Sequence, residues 1–359
     1  MNILLDLKFF FFFLLTPVYL SAQQTEVITK YESGRIKEKY AALIKGKDTI
    51  ANGHYEYYSV VGAKMQEGEY KNGIMTGKWL VYFSSGSISQ ELLYAGGQKN
   101  GAFISYYENG IKWQEGTFEK GLKTGRFDTW FEDGTLQETA NYKRDTIDGI
   151  YEQYWHSSGK LGVRQNYKMG IPNGIYEYYH DNGFLNYKGI KEGNQYKDSL
   201  WVYDLKGNLL RVCYYKDGNL DGRFVSYYDD GKEQTICYYL KGKIEGHYIE
   251  YFPNGAMAQE GEYVNNKKSG LWKGYYPEGQ LFSEGQFCAE KLCDVWKIFF
   301  PDGKMKQVGA YKDGMATGEW KTYYENGNIQ SMGSYEEDMK KGEWKMYDSN
   351  GTLTETKTY

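Results

Sequence analysis

Glycine returns every 24 residues through much of this chain, at Gly53, Gly77, Gly101, Gly125 and Gly149 and again at Gly246, Gly270, Gly318 and Gly342, with Asp294 in the one interrupted place. Self-similarity at so short a period means a single supersecondary unit that cannot bury a core alone and must stack on its neighbours. Aligned on that glycine, GKWLVYFSSG, GAFISYYENG, GLWKGYYPEG and GEWKTYYENG are one motif. About thirteen copies run from Gly53 to Tyr359, and an N-terminal partial repeat (23–52) carries YESGRIKEKY at 31–40. The copy at 199–221, beginning SLWVYDLKG, departs most from the motif. No linker or second domain interrupts 53–359.

The composition says which unit is repeated. With 38 Tyr and 44 Gly but only 5 Pro, the chain has the makings of many short strands and tight turns. Asn-Gly or Asp-Gly flanked by aromatic runs (Asn109-Gly110, Asp133-Gly134, Asn254-Gly255, Asp302-Gly303, Asn326-Gly327) predicts a hairpin with a two-residue type I′ turn. Centred on Asn326-Gly327, that turn sets Tyr324 against Ile329, Trp320 against Gly333 and Gly318 against Tyr335. Phe103 then meets Gly116, and Trp272 meets Gly285. A ring opposite a glycine covers the backbone that the missing side chain leaves bare. Period-two alternation places Trp320, Tyr324, Ile329 and Tyr335 on a packed face, and Glu319, Lys321, Tyr323, Gln330 and Met332 on a solvated one. The expected fold is all-β: an elongated array of about thirteen 24-residue antiparallel β-hairpin repeats in one continuous twisted sheet.

Ahead of the array, Lys8, the apolar run Phe9–Leu15 and the small pair Ser21-Ala22 form a secretory signal peptide over 1–22. The apolar stretch is shorter than the ~20 residues a spanning helix needs, so an integral membrane protein is not expected. The expected location is the periplasm, the cell surface or the extracellular space. A net charge of −4 carries no basic excess, which excludes nucleic acid as the natural partner.

The recurring pattern in GEYVNNKKSGLWKGYYPEG resembles the MORN-variant repeat, and bacterial chains of this kind are grouped as YwqK-type antitoxins. The resemblance spans residues 31–359. It implies a non-catalytic interaction or membrane-associated scaffold, and through the grouping an antitoxin-like inhibitor of a partner protein.

No constellation for catalysis stands out. His54 and His247 share one repeat position where other copies carry Lys, Ala, Arg, Ile, Leu or Glu, which reads as surface filler; His156 and His180 complete the four histidines. Phosphate-loop, nucleophile-elbow, zinc and calcium-loop patterns are absent from the sequence, so no enzyme, cofactor or metal site is expected. The third position is aromatic in every copy, from Tyr55 and Trp79 through Trp201 to Trp320 and Trp344, and reads as packing. The sixth position offers a candidate binding surface: Tyr82, Tyr106, Trp130, Tyr154, Tyr227, Tyr251, Tyr275 and Tyr323. Such rings either cover neighbouring Lys and Glu stems or stack sugars and dock a partner. The function expected is an exported scaffold binding an unknown protein or the envelope, with cell-envelope glycan binding as the alternative.

The four cysteines give a sharp expectation. Cys213 and Cys237 occupy one strand position in successive copies, so an intervening strand holds them about 9–10 Å apart, too far to bridge. Cys288 and Cys293 bracket the connector whose usual glycines have become Glu290 and Asp294, and a disulfide there would close the turn. Mass mapping of unreduced tryptic digests is expected to find 288 linked to 293 with free thiols at 213 and 237. A 213–237 crosslink would overturn the strand order.

Overall fold

A computed structural model describes residues 23–359, so the leader read at 1–22 lies outside the described residues. Among these residues there are 29 strands and no helix, and every pairing is antiparallel, in an open and unclosed sheet. Among the described residues no helix is long and apolar enough to cross a membrane. The chain divides into two compact units between Thr124 and Gly125. In the first, Gln23–Lys30 pairs with Ile36–Lys45, which pairs with Asp48–Tyr58, so the N-terminal stretch contributes whole strands; each later strand to Lys112–Glu119 pairs with the one before it. The second unit repeats that meander to its last strand, Leu353–Thr358.

Two turn types alternate, and the type I′ turn is not where the Asn-Gly pairs suggest. Around Asn326-Gly327 the Tyr324 N–H donates to the Asn328 carbonyl and the Gly327 N–H to the Tyr324 carbonyl, both at 2.9 Å. Of the pair only Gly327 takes positive φ, at 91°. This is a three-residue loop, a type I turn closed by a left-handed glycine. The Asn326 Oδ1 accepts the Asn328 N–H at 3.0 Å, a local bond that favours this loop over its two-residue rival. The strands accommodate the extra residue by a bulge beside Tyr323, so Tyr323, not Tyr324, faces Ile329. Trp320 against Gly333 and Gly318 against Tyr335 hold. The type I′ turns lie in the other connectors, as at Asn72-Gly73 (φ 51° and 79°) between paired Lys71 and Ile74. Each also reaches back one repeat: the Gly73 N–H donates to the Ala51 carbonyl at 2.7 Å, and the Gly314 N–H to that of Leu292 at 2.9 Å.

The packed face is a ladder of rings. In the second unit Tyr248, Tyr263, Trp272, Phe287 and Trp296 follow one another at 5.3, 5.4, 6.0 and 5.3 Å between ring centres, edge to face. Each indole leans onto the glycine of the preceding strand rather than its in-register partner. A Cβ on Gly333 would fall nearer than 3.0 Å to the Trp344 ring, and one on Gly309 equally near Trp320. The expected cover of Gly333 by Trp320 is therefore corrected to cover by Trp344. The Trp344 Nε1–H then donates to the Ser334 carbonyl at 3.1 Å, and Trp272 and Trp296 repeat that bond to Glu262 and Gln286.

The seventh copy is out of phase with its letters. Asp198 faces Tyr215 and Leu200 faces Cys213, as Gly318 faces Tyr335 and Trp320 faces Gly333. Leu200 therefore holds the ring position, and Trp201, opposite Val212, points to the other face. Cys213 and Cys237 flank Phe224, one on each side, and are buried as free thiols. Cys288 and Cys293 are joined, with Cα atoms 5.8 Å apart, across a turn in which Ala289 and Glu290 take φ of 50° and 75°.

Gly333→Val is expected to cost about 1–3 kcal/mol through overpacking, and Lys321→Val on the other face about ±0.5 kcal/mol. Chemical denaturation of the full chain measures both. Because Trp344 is the ring displaced, the Gly333→Val cost should shrink in a Trp344→Ala background and persist in a Trp320→Ala one.

Candidate functional site

The sixth-position residues line the face opposite the ring ladder, and none is exposed: Tyr82, Tyr106, Trp130, Tyr154, Tyr227, Tyr251, Tyr275 and Tyr323 are all half-buried. Their hydroxyls are largely engaged. Tyr82 donates to Glu67 at 2.5 Å, Tyr106 to Glu91 at 2.9 Å and Tyr275 to Glu260 at 2.7 Å, in each case a carboxylate fifteen residues back on the preceding strand. Tyr154 donates to Glu152 on its own strand at 2.9 Å. The solvated face expected from alternation is instead a polar lattice of phenols, carboxylates and ammonium groups. Lys64 bonds both Glu56 and Glu67, and Lys78 pairs with Glu91 at 2.6 Å.

The seventh-position rings tie consecutive hairpins along the turn edge. Tyr228 donates to the Tyr251 carbonyl at 2.7 Å, Tyr276 to that of Phe299 at 2.8 Å and Tyr324 to that of Tyr347 at 2.9 Å. Beside them Phe300, Tyr323, Tyr324, Asn326 and Gln330 line an open cleft of about 520 Å³. Amide groups and ring faces meet there at one surface.

The electrostatics follow from burial and from these bonds. Burial, and next the Glu67 bond, pushes the Tyr82 phenol up to about 12; burial and the Glu260 bond do the same for Tyr275. The Lys64 hydrogen bond, and then that from Tyr82, holds Glu67 below the usual carboxylate range. Two histidines reach the edge of this lattice, His54 Nε2 lying 3.7 Å from Glu56 and His247 Nε2 3.8 Å from Glu260. His54 Nδ1 lies 3.3 Å from Glu69, and His247 repeats that contact with Glu262. His156 packs tilted against Phe131, ring centres 4.2 Å apart, and meets Asp133 at 3.0 Å, while the ring Nε2 of His180 is buried without a partner. Among the described residues two groupings have donor atoms near enough for a metal ion. In His54, Glu56 and Glu67 the Lys64 ammonium already bridges the two carboxylates. In Cys288, Cys293 and Asp294 the sulfurs are spent on each other.

The glutamates that brace the tyrosines were missed by motif reading, although their fixed spacing of fifteen residues from the ring was a usable signal. Apolar side chains on the same face were missed too. The second position of the repeat exposes Ile150 (45%), Ile175 (42%), Leu271 (46%) and Val295 (51%).

Six segments of the chain match the MORN repeat variant family: 99–120, 244–265, 268–289, 295–313, 316–337 and 340–359. No curated protein matches the chain. Among solved structures, the TcdB2-TccC3-Cdc42 crystal structure is 11% identical with a TM-score of 0.19, over 90% of this chain and 19% of that one. The Photorhabdus luminescens Tc holotoxin pore is 12% identical with a TM-score of 0.17, over 90% of this chain and 20% of that one. The chain spans about a fifth of the length of those chains.

A raised phenol value means that the folded state holds the proton. The stability from Tyr82 and Tyr275 is therefore complete below the ordinary tyrosine value near 10 and is lost as pH climbs through about 12. Phenolate absorbance and far-UV circular dichroism, followed together, should show the sheet melting within that window. Full ionisation of the tyrosines near pH 10 with the sheet intact would contradict the lattice.

Proposed function

We propose that the protein is an exported, non-catalytic scaffold that holds a partner protein along the face bearing the sixth-position residues. The observation that carries this is the recurrence of Ile150, Ile175, Leu271 and Val295, exposed on strands whose fourth and sixth positions form the polar lattice. Aliphatic side chains set in a rim of ion pairs and phenols suit a protein surface, because burying them gains about 25 cal/mol per Å² while the rim keeps its own bonds. They offer nothing to a sugar hydroxyl. Export rests on the 1–22 leader pattern, and places the partner in the envelope or outside the cell. The finer antitoxin-like reading, in which the partner is a protein held inactive, comes from the family resemblance and shares this surface.

Envelope glycan binding is the second reading, and the cleft of Phe300, Tyr323, Tyr324, Asn326 and Gln330 favours it, since ring faces beside amides suit a pyranose. The two separate experimentally. On immobilised protein, native envelope extract should yield specific retained proteins, and Ile150→Asp with Ile175→Asp should abolish their retention without altering circular dichroism. Unchanged retention by that variant would defeat the scaffold reading. Sedimentation with purified peptidoglycan, reversed by free sugar and lost in Tyr323→Ala, would establish the glycan one.

A further inference from the structure

On the face opposite the ring ladder, the row through the fourth position of the second unit has a symmetry of its own. Its residues are paired across successive strands without a break. The row opens with Glu152, Arg164, Glu177 and Lys188, alternately acidic and basic. It continues through Trp201, Val212, Val225, Ile236 and Ile249, all apolar. It then runs on through Glu260, Lys273, Glu284 and Lys297, again alternating. Reflected about Val225, every charge falls on its opposite: Lys188 on Glu260, Glu177 on Lys273, Arg164 on Glu284 and Glu152 on Lys297. Trp201 falls on Ile249, and Val212 on Ile236. Much of the adjacent second-position row follows the same centre. Tyr214 and Tyr238, 39% and 45% exposed, flank it, and the exposed aliphatics Ile175 and Leu271 lie equally far to either side. Arg223 alone falls at the centre of that row and carries its own counter-ion, Glu233 at 3.3 Å.

A two-fold axis lying in an interface and running along the Asn219–Tyr227 strand turns this pattern into contacts, since each residue of one copy then meets the residue equally far beyond Val225 in the other. A partner of any other sequence would place no such demand on this chain. Register is fixed as well. An axis shifted into the gap between Val225 and Ile236 would set Lys188 against Lys273 and Glu177 against Glu284, and an axis across the strands would set each charge against itself. Within one copy the flanks are already paired, Arg164 with Glu152 at 2.8 Å, Lys188 with Glu177 at 3.0 Å and Lys297 with Glu284 at 2.9 Å. A second copy therefore adds opposite charge to networks that leave no ion bare. The centre supplies apolar burial. Val225 is buried and the other four are half-buried, and the copy that is out of phase with its letters delivers the Trp201 indole to this face rather than to the ladder. At ~4.8 Å per strand, the patch from Glu177 to Lys273 is about 38 Å wide and about 17 Å deep, or about 1,300 Å² over two copies, the size of a specific interface.

We infer that two copies of this chain associate face to face through this surface, as an isologous dimer with its axis along the Asn219–Tyr227 strand. The inference names the partner of the face already proposed to bind protein, and rests on that reading. Twist splays the two sheets away from the axis, so Lys188 with Glu260 and Glu177 with Lys273 carry the electrostatic part.

Sedimentation equilibrium of the full chain over a wide concentration range should show a monomer–dimer equilibrium. Lys188→Glu and Glu260→Lys each set like charges in contact twice, once on either side of the axis, so each alone should weaken the dimer about tenfold or more, with circular dichroism unchanged. In one copy residues 188 and 260 stand about 29 Å apart at ~4.8 Å per strand, so neither change can compensate the other there. Mixing the two variants gives a heterodimer in which both contacts join opposite charges, and its affinity should return to within about threefold of the unsubstituted chain. Glu177→Lys and Lys273→Glu repeat the mixing test on the next rung, and Trp201→Ala at the centre should weaken the dimer about tenfold or more. The inference is overturned if the chain is a monomer at every concentration, if no charge variant changes the dimer, or if the mixtures associate no better than their components. A monomer that still retains envelope proteins overturns only the second-copy assignment, and one that retains none overturns the scaffold reading with it.

Discussion

An indole laid over a glycine of the preceding strand, its N–H closed on the next carbonyl, is the contact from which the rest of the sheet follows. Among the described residues no helix covers the ring face, so the core has to be made within it. One such ring buries about 150–250 Å², which at 25 cal/mol per Å² is an upper bound of about 4–6 kcal/mol. The ion pairs on the other face, half open to water, contribute about 0–1 kcal/mol each. The ladder therefore sets stability, and the phenol–carboxylate lattice sets which side chains the opposite face presents. Glycine at 261, 285, 309 and 333 is required by closeness of approach: the indole occupies the space a Cβ would take.

Much of this was legible in the sequence for a plain reason. A strict period makes every copy a vote on the same position, so the hairpin, the strand order and the Trp320–Gly333 and Gly318–Tyr335 pairings could be counted from the glycines. The turn type could not, because Asn-Gly suits two loops. It supplies two left-handed residues to a type I′ turn, or an Asx bond and one left-handed glycine to a three-residue loop. The lysine-led connectors, with no bond of the Asn326 kind, took the first, and Asn326-Gly327 took the second. Position 201 failed for a different reason: alignment followed the letter Trp, whereas counting back from the turn glycine Gly207 through Tyr203 puts Leu200 in the ring position. The half-burial of the tyrosine row was hidden because alternation within a hairpin says nothing about side chains arriving from the strand alongside.

The two faces divide labour in a way that suits a repeat array. Positions that touch the ladder keep to rings and small side chains in most copies, while the second position passes through Lys78, Ala102, Arg126, Ile150, Ile175, Leu271, Val295 and Glu319. Architecture is held by one set of residues and surface chemistry is written by another, so a surface can change copy by copy without a cost in the core.

The back-bond from each connector, such as Gly314 to Leu292, fastens a repeat only to its predecessor. Cohesion in such an array is pairwise, and its weakest coupling decides where it parts. Within the second unit the third-position ring is missing at Leu200, so the ladder there crosses through Tyr196, 6.4 Å from Tyr176 and 5.6 Å from Tyr215, beside an aliphatic rung. A rung with less ring surface to bury is where a repeat array is expected to part when the chain is pulled or warmed, with amide protons on its two sides exchanging on separate clocks.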